Sequence, residues 1–171
     1  MSPVVGTREQ ILDRIVTLLG TVPGIRNYAR NRAQFADVAG SVEDAEVFPA
    51  AVLLDGSEDM LSSVVPQKSV LMPPALMRLR PEIYVLLRQR DDATNLTLDG
   101  QPAPVGPELT AWRDAVLSAL INDPTLLDLL TTSGQIVYRG CITDMASGRT
   151  LLGQIQILID FHYVWFPPRG Q

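Results

Sequence analysis

Histidine and cysteine, which most often act as general base and strong nucleophile, occur once each in this sequence. They are His162 and Cys141 among 171 residues. A histidine-based triad needs an imidazole held between a nucleophile and an orienting acid. His162 lies instead within a strongly strand-like segment, where a lone histidine is more often structural. Cys141 cannot form an internal disulfide, and its strand-like surroundings favour a small packed side chain. Neither residue predicts a reaction centre.

Metal-binding and phosphate-binding patterns would be the other routes to chemistry. Asp91-Asp92 and Glu43-Asp44 offer paired carboxylates, but no EF-hand spacing accompanies them. Zinc sites need three or four His, Cys or carboxylate ligands, and the sequence contains no such spacing. Glycine motifs that cradle phosphates are absent as well. We therefore expect no enzyme activity and no cofactor, so function has to be argued from architecture and charge.

The longest regular pattern is an alternation of side chains over residues 153–165. Successive side chains of a strand point to opposite faces, and here one face is entirely apolar or aromatic. That face comprises Ile155, Ile157, Ile159, Phe161, Tyr163 and Trp165. The opposite face is mixed and includes His162. The pattern predicts a long strand with one buried face, against which the core forms.

Two amphipathic helices are predicted to cover that face. A capping box opened by Thr7 precedes apolar residues at helical spacing, which predicts a helix over 7–20. Pro107 is well placed as the first residue of a second helix. Asp123-Pro124 predicts the cap and first turn of a short third helix.

Three further strands are predicted at 48–56, 81–90 and 135–143. The first of them ends at the turn signal Asp55-Gly56. Segment 57–80 is too long for a routine hairpin loop and contains three of the five methionines. Two interpretations of this segment stay open: an extended arm or hairpin that packs on a neighbouring chain, or a floppy surface loop.

These elements form a single domain over residues 1–171 in the order α-β-β-α-α-β-β. We expect an α/β (α+β) fold with a single sheet of about four main strands and two long helices packed on one face. Residues 166–171 are predicted to be a loose tail. A basic stretch within residues 24–47 could contact nucleic acid or an acidic partner, but the acidic chain favours a solvated loop there.

Charge is distributed unevenly along the chain, whose net charge is −5. That sign argues against a sequence-independent nucleic-acid binder. Residues 41–60 contain six carboxylates and no base, whereas residues 61–90 contain five bases and one carboxylate. The two blocks would neutralise each other across a hairpin within one chain, or meet their complements on neighbouring copies of a ring. No apolar run approaches the roughly 18 residues that cross a bilayer, so we expect no membrane partner.

Several segments resemble one protein family in their order along the chain. The sequence contains T-R-E-Q-I-L-D-R-I-V-T-L-L, a basic segment, F-P-A-A-V-L-L-D-G, a Met- and Pro-rich arm, P-E-I-Y-V-L-L, and L-x-x-L…G-x-I-x-Y-x-G before the long final strand. This succession resembles the minor tail proteins of tailed bacteriophages, in particular the tail terminator (tail completion) proteins. Members of that family are structural and carry no catalytic residues, so the resemblance transfers none.

The resemblance implies a virion protein at the head-proximal end of the tail, present in the host cytoplasm during assembly. It implies a homohexameric ring that caps the tail tube and contacts the tail tube protein below and a head-completion or connector protein above. DNA would pass through this ring without specific binding. Two alternatives stay open. One is a neck or head-closure protein of the same virion region, and the other is a small α/β ligand-binding or enzymatic domain with a pocket between helix and sheet.

The charge blocks also predict contacts within such a ring. Separate acidic and arginine-rich surfaces suit head-to-tail contacts, because each surface finds its complement on the next copy. Methionine adapts to irregular surfaces and would add apolar contact area. The predicted interface residues are Arg78, Arg80, Arg88, Arg90, Glu43, Asp44, Glu46, Glu58, Asp59, Met60 and Met72.

Overall fold

A computed structural model describes residues 6–31, 48–63, 74–88, 105–131, 133–145 and 152–167. Within these ranges the chain forms three helices and five strands, so the fold is α+β, as predicted. In chain order they are α1 (Thr7–Thr21), β1 (Asn27–Arg30), β2 (Ala50–Ser63), β3 (Ala75–Arg88), α2 (Val105–Ile121), α3 (Pro124–Leu130), β4 (Gln135–Met145) and β5 (Leu152–Trp165).

The five strands form one mixed sheet in the order β1-β2-β3-β5-β4. β1 runs parallel to β2, and the other neighbouring pairs are antiparallel. β5 therefore lies between β3 and β4. Both edges of β5 are paired, so only its two faces can differ in burial. Its apolar face marks the buried face of the whole sheet.

The apolar face of β5 forms the core together with all three helices. Its residues from Ile155 to Tyr163 are buried, as the alternation predicted, and Trp165 is half-buried. Fully burying one such side chain contributes about 1.5–3 kcal/mol, so this layer is the main source of stability. The same cluster contains the helix residues Ile11, Ile15, Leu18, Leu109, Val116, Leu120, Leu126 and Leu130.

β1 lies in a segment that was predicted to be a solvated loop, and that prediction is wrong for Asn27–Arg30. These residues pair with residues 50–53 of β2. The N–H of Asn31 then donates to the carbonyl oxygen of Leu53 at 2.9 Å. These four residues have polar ends and show no recognisable alternation. They belong to the sheet because of their tertiary pairing and not because of their strand propensity. The sheet thus has five strands rather than about four.

The predicted turn at Asp55-Gly56 is also wrong, because β2 continues through it to Ser63. The register between β2 and β3 shifts between Leu54 and Ser57, which makes this point a β-bulge. Gly56 has a φ of +64°, and a Cβ there would collide with the backbone of Arg80. A glycine inside a strand signals a bulge as readily as a turn.

β3 begins at Ala75, earlier than the predicted start at 81. Residues 57–63 and 75–80 of the predicted arm are therefore paired strands, whereas 64–73 lie outside the described residues. Of the predicted tail, residues 166 and 167 follow β5 outside the sheet, and 168–171 are not among the described residues.

The helix ends correct one capping prediction and confirm another. The N-cap of α1 is Gly6, in extended conformation and without a side-chain cap, so the capping box opened by Thr7 does not form. α2 begins two residues before the predicted first residue, Pro107. At α3 the Asp123 carboxylate accepts the N–H of Leu126 at 2.7 Å, as its position before a proline predicted.

An ion pair joins α1 to the start of α3. Arg14 donates from Nε to Oδ1 of Asp123 at 2.9 Å and from Nη2 to Oδ2 at 2.6 Å. This guanidinium lowers the pKa of the Asp123 carboxyl below its ordinary value, against the opposing effect of burial. One carboxylate therefore caps α3 and fixes it against α1.

Candidate functional site

The acidic and basic blocks of the sequence meet across the β2–β3 ladder. Asp59 on β2 lies opposite Arg78 on β3. Its carboxylate is 2.8 Å from the Arg78 guanidinium and 3.3 Å from that of Arg80. The hydrogen bond from Arg78 is the largest cause of a lowered pKa at Asp59. These three predicted interface residues therefore have partners within their own chain, and their pairing with a second copy stays a prediction.

The other predicted interface residues are distributed differently. Glu58 accepts a hydrogen bond from the hydroxyl of Tyr163, whose pKa is raised, first by burial and then by this bond. Met60 is exposed. The backbone of Arg88 pairs with that of Leu152. Five predicted residues lie outside the described ranges: Glu43, Asp44, Glu46, Met72 and Arg90.

Arg30, at the end of β1, brings three carboxylates together. It donates from Nε and Nη2 to the two carboxylate oxygens of Asp55 at 2.7 and 3.0 Å. It also donates to Asp13 at 2.8 Å and to Glu9 at 2.7 Å. The pKa of Arg30 is raised, and the hydrogen bond to Asp55 is the largest cause. This arginine of the basic stretch is therefore bound to carboxylates of its own chain, not free for phosphate or acidic partners.

Sequence reasoning missed this cluster, although part of its signal was present. Glu9 and Asp13 are four residues apart, so they lie on one face of α1. That spacing predicts a local acidic patch that needs a base. It does not name Arg30, because the arginine reaches α1 only through the parallel pairing of β1 with β2.

A polar groove of about 860 Å³ lies on the face of the sheet opposite the helices. Its lining includes Asp55, Arg80, Glu82, Arg139, Gln156 and Asp160. Asp160 is buried. The Nε of Arg80 is 4.0 Å from its carboxylate, which is close enough for an ion pair but too far for a hydrogen bond. The mixture of both signs suits polar contacts across the whole face better than a single charged ligand. The pocket considered in the alternative hypothesis was expected on the helix side instead.

The two candidate chemical residues are not brought together. His162 is aligned with Gln135, whose amide nitrogen is 3.1 Å from the Nδ1 of the imidazole. Burial is the largest cause of the lowered pKa of His162, which keeps the ring neutral at pH 7. Cys141 is aligned with Ile157 and so faces the helices, where Nη1 of Arg113 is 3.9 Å from its Sγ. Because the two residues lie on opposite faces of the sheet, they cannot act as a base and nucleophile pair.

Exposed apolar side chains occur in three separate places on the sheet, one of which is the single residue Tyr28 on β1, and the other two are groups. The first group, which we call the hairpin end, comprises Met60, Leu61 and Phe166, where β2, β3 and β5 extend beyond β4. The second group, the β4 edge, comprises Tyr138 and Ile142 on the outermost strand. Together the two groups are the surfaces of the described residues best suited to contact with another protein.

Comparison of the sequence with protein-family models and with curated proteins finds no match. Across the described ranges, no three His, Cys, Asp or Glu side chains are grouped so that they could hold a metal ion. None of the helices in those ranges is long and apolar enough to span a membrane.

Proposed function

We propose that the chain is a structural subunit that joins copies of itself head to tail in a ring, the tail terminator of a phage tail. In this role the ring caps the tail tube and contacts a head-completion or connector protein. One observation carries the proposal: the chain exposes apolar side chains at two different surfaces, the hairpin end and the β4 edge. The phage assignment rests on the resemblance of the sequence to the tail terminator family.

Two different surfaces favour a ring over a symmetric dimer. A two-fold dimer uses one self-complementary patch, whereas a ring uses two unlike patches, each occupied by the next copy. The hairpin end and the β4 edge are separated by β3 and β5 in the sheet. A neighbour on one surface therefore leaves the other accessible to a further neighbour.

The charge distribution supports passage of DNA without retention. A lumen that exposes many free arginines would bind phosphates strongly and in a salt-dependent way. Arg30, Arg78 and Arg80 are each paired with carboxylates of the same chain. With a net charge of −5, such a subunit should bind DNA weakly.

The ring and its position can be tested with native mass spectrometry and negative-stain electron microscopy. We expect a closed ring of six, and binding to one end of purified tail tubes of the same virus. A ring that binds connector complexes but not tubes would favour the neck or head-closure alternative. A chain that stays monomeric at all concentrations, even beside tail tubes, would refute the proposal.

A matched pair of variants tests whether the hairpin end takes part. Leu61 is 40% exposed on β2, and Leu127 is 45% exposed on α3. Leu61→Lys should weaken assembly, because a charge in an apolar contact loses its hydration. Leu127→Lys should leave assembly unchanged. Equal behaviour of the two variants would remove the hairpin end from the interface.

A further inference from the structure

The described sheet has three open strand edges: the outer side of β4, the part of β2 that β1 does not cover, and the outer side of β1, which is only four residues long. β4 pairs with β5 along one side, and no described strand lies along its other side. β1 covers only residues 50–53 of β2, so residues 57–63 have β3 on one side and no described strand on the other. Open edges present rows of N–H and C=O groups that readily pair with a strand from another chain.

The outer strand β4 has the side-chain pattern of an interior strand. Tyr138 is aligned with Ile159 on the helix side, and Ile142 is aligned with Gln156 on the groove side. Both are exposed, so apolar groups stand on both faces of an edge strand. Strands with apolar residues on both faces are typical of sheet interiors. β4 lacks the lysines and prolines that commonly protect an edge, and its one irregularity is a bulge between Tyr138 and Gly140.

Residues 57–63 offer a matching partner on a second copy. This part of β2 contains neither lysine nor proline, Met60 and Leu61 are exposed, and a bulge lies between Met60 and Ser62. Asp59 pairs with Arg78 across β2 and β3, and Arg78 pairs with His162 across β3 and β5. All three residues therefore lie on the groove side. Arg139 lines the groove from β4 and makes no salt bridge with a described residue. Across a junction of the two edges, Arg139 would therefore approach Asp59, which also contacts Arg78 and Arg80 of its own chain.

We infer that the open edge of β4 in one copy pairs with residues 57–63 of the next copy, so that the sheet continues across each subunit boundary. This inference rests on the proposed ring and names its contact. Main-chain hydrogen bonds would supply the attachment, and the apolar side chains at the hairpin end and the β4 edge would cover the new pair of strands. Arg139 and the neighbour's Asp59 would select the partner by charge. The occupant of each edge is a second copy of this chain.

Two isoleucines with similar exposure provide the first test. Ile142 on β4 is 55% exposed, and Ile121 at the end of α2 is 50% exposed. Ile142→Lys should raise the concentration at which half of the chains are assembled by about tenfold or more, because lysine protects an edge against pairing. Ile121→Lys should assemble as the unmodified chain does. Circular dichroism checks that both variants are folded, and an unaltered ring in Ile142→Lys would overturn the inference.

Two arginines provide the test of charge. Arg139 and Arg26 are both exposed, and neither makes a salt bridge with a described residue. Arg139→Glu should weaken assembly most at low salt and reverse the salt dependence of this contact, because an attraction becomes a repulsion that salt screens. Arg26→Glu should have neither effect. Equal assembly of the two variants would remove the charge contact from the inference.

Crosslinking identifies which edges meet. In chains that carry Cys141→Ser, one population receives Met60→Cys and a second receives Tyr138→Cys, and the two are mixed with a bismaleimide that spans about 10 Å. That reach covers a neighbouring strand, about 4.8 Å away, at an offset of up to about two residues, and further populations with Ile136→Cys or Thr143→Cys in place of Tyr138→Cys cover the other registers. We expect crosslinks between the two populations and few within either one. Crosslinks within the Tyr138→Cys population alone would show β4 against β4 and overturn the assignment, as would the lack of any crosslink.

The outcomes separate this inference from the proposed function. A ring that is insensitive to Ile142→Lys refutes the strand pairing but keeps the ring. Crosslinked chains that fail to bind tail tubes keep the strand pairing but refute the tail terminator. Monomers that do not crosslink refute both.

Discussion

Replacing Arg30 with methionine should destabilise the chain by about 2 kcal/mol at pH 7 and low salt. The side chain is 18% exposed and contacts carboxylates on α1 and β2. The bidentate contact with Asp55 should contribute most, about 1–1.5 kcal/mol, because charge-assisted pairs of fixed geometry are the strong ones. Glu9 and Asp13 are more exposed, so each should contribute about 0.5 kcal/mol or less.

Arg30→Lys separates the charge of this side chain from its geometry. Lysine keeps the positive charge among the three carboxylates but cannot form the two parallel hydrogen bonds to Asp55. We expect Arg30→Lys to lower the free energy of unfolding by about half as much as Arg30→Met. Arg26→Met removes an exposed arginine four residues away and should change the free energy of unfolding little.

Urea unfolding followed by tryptophan fluorescence measures these differences. High salt should reduce the cost of Arg30→Met, because it screens the repulsion left among Glu9, Asp13 and Asp55. A loss below about 0.5 kcal/mol in Arg30→Met would refute the view that this cluster stabilises the joint of α1, β1 and β2. Equal stability of Arg30→Lys and the unmodified chain would refute the part assigned to geometry.

Three other perturbations test the core, the helix joint and the ring. Phe161→Ala should lower the free energy of unfolding by about 3–5 kcal/mol in urea, because this side chain is 0% exposed. Phe166→Ala should lower it little, because Phe166 is 63% exposed. Similar losses in the two variants would contradict the assigned core. Asp123 has a lowered pKa in the folded chain, so its stabilisation is present above about pH 4 and is lost as the pH falls through that lowered value. Asp123→Asn should therefore flatten the loss of stability on acidification, and an unchanged acid limb would contradict the pairing. The double variant Arg88→Glu and Arg90→Glu should weaken the ring while the subunit stays folded, as seen by native mass spectrometry at several salt concentrations. Normal assembly at high salt and low concentration alike would count against the charge mechanism.

The core could be predicted from the sequence because it depends on local pattern. The alternation from Ile155 to Tyr163 has one solution, a strand buried on one face, and that face is buried. The cap of α3 is equally local, since Asp123 and the proline after it suffice to place it. Such features need no knowledge of which distant segment lies beside them.

Apart from the N-cap at Gly6 and the helix start at Val105, the missed features depend on a partner distant in sequence. β1 is a strand because residues 50–53 lie beside it, and Arg30 finds Asp13 and Glu9 only through that pairing. Gly56 was a turn signal by residue type. It became a bulge because β3 continues opposite it. Residue type and spacing carry no information on these neighbours.

The same reasoning moves the expected contact between copies from the arginines to the strand edges. Charges close in sequence pair at a small cost in loop closure, so a carboxylate block beside an arginine block is neutralised first across its own hairpin. Asp59 with Arg78 is that case. The main contact with a neighbour must instead consist of groups for which folding supplies no local partner, and charges such as Asp59 can only add to it. Among the described residues, Ile142 and Tyr138 on an unpaired edge meet that condition better than Arg78 does, because no further folding of those residues would bury them.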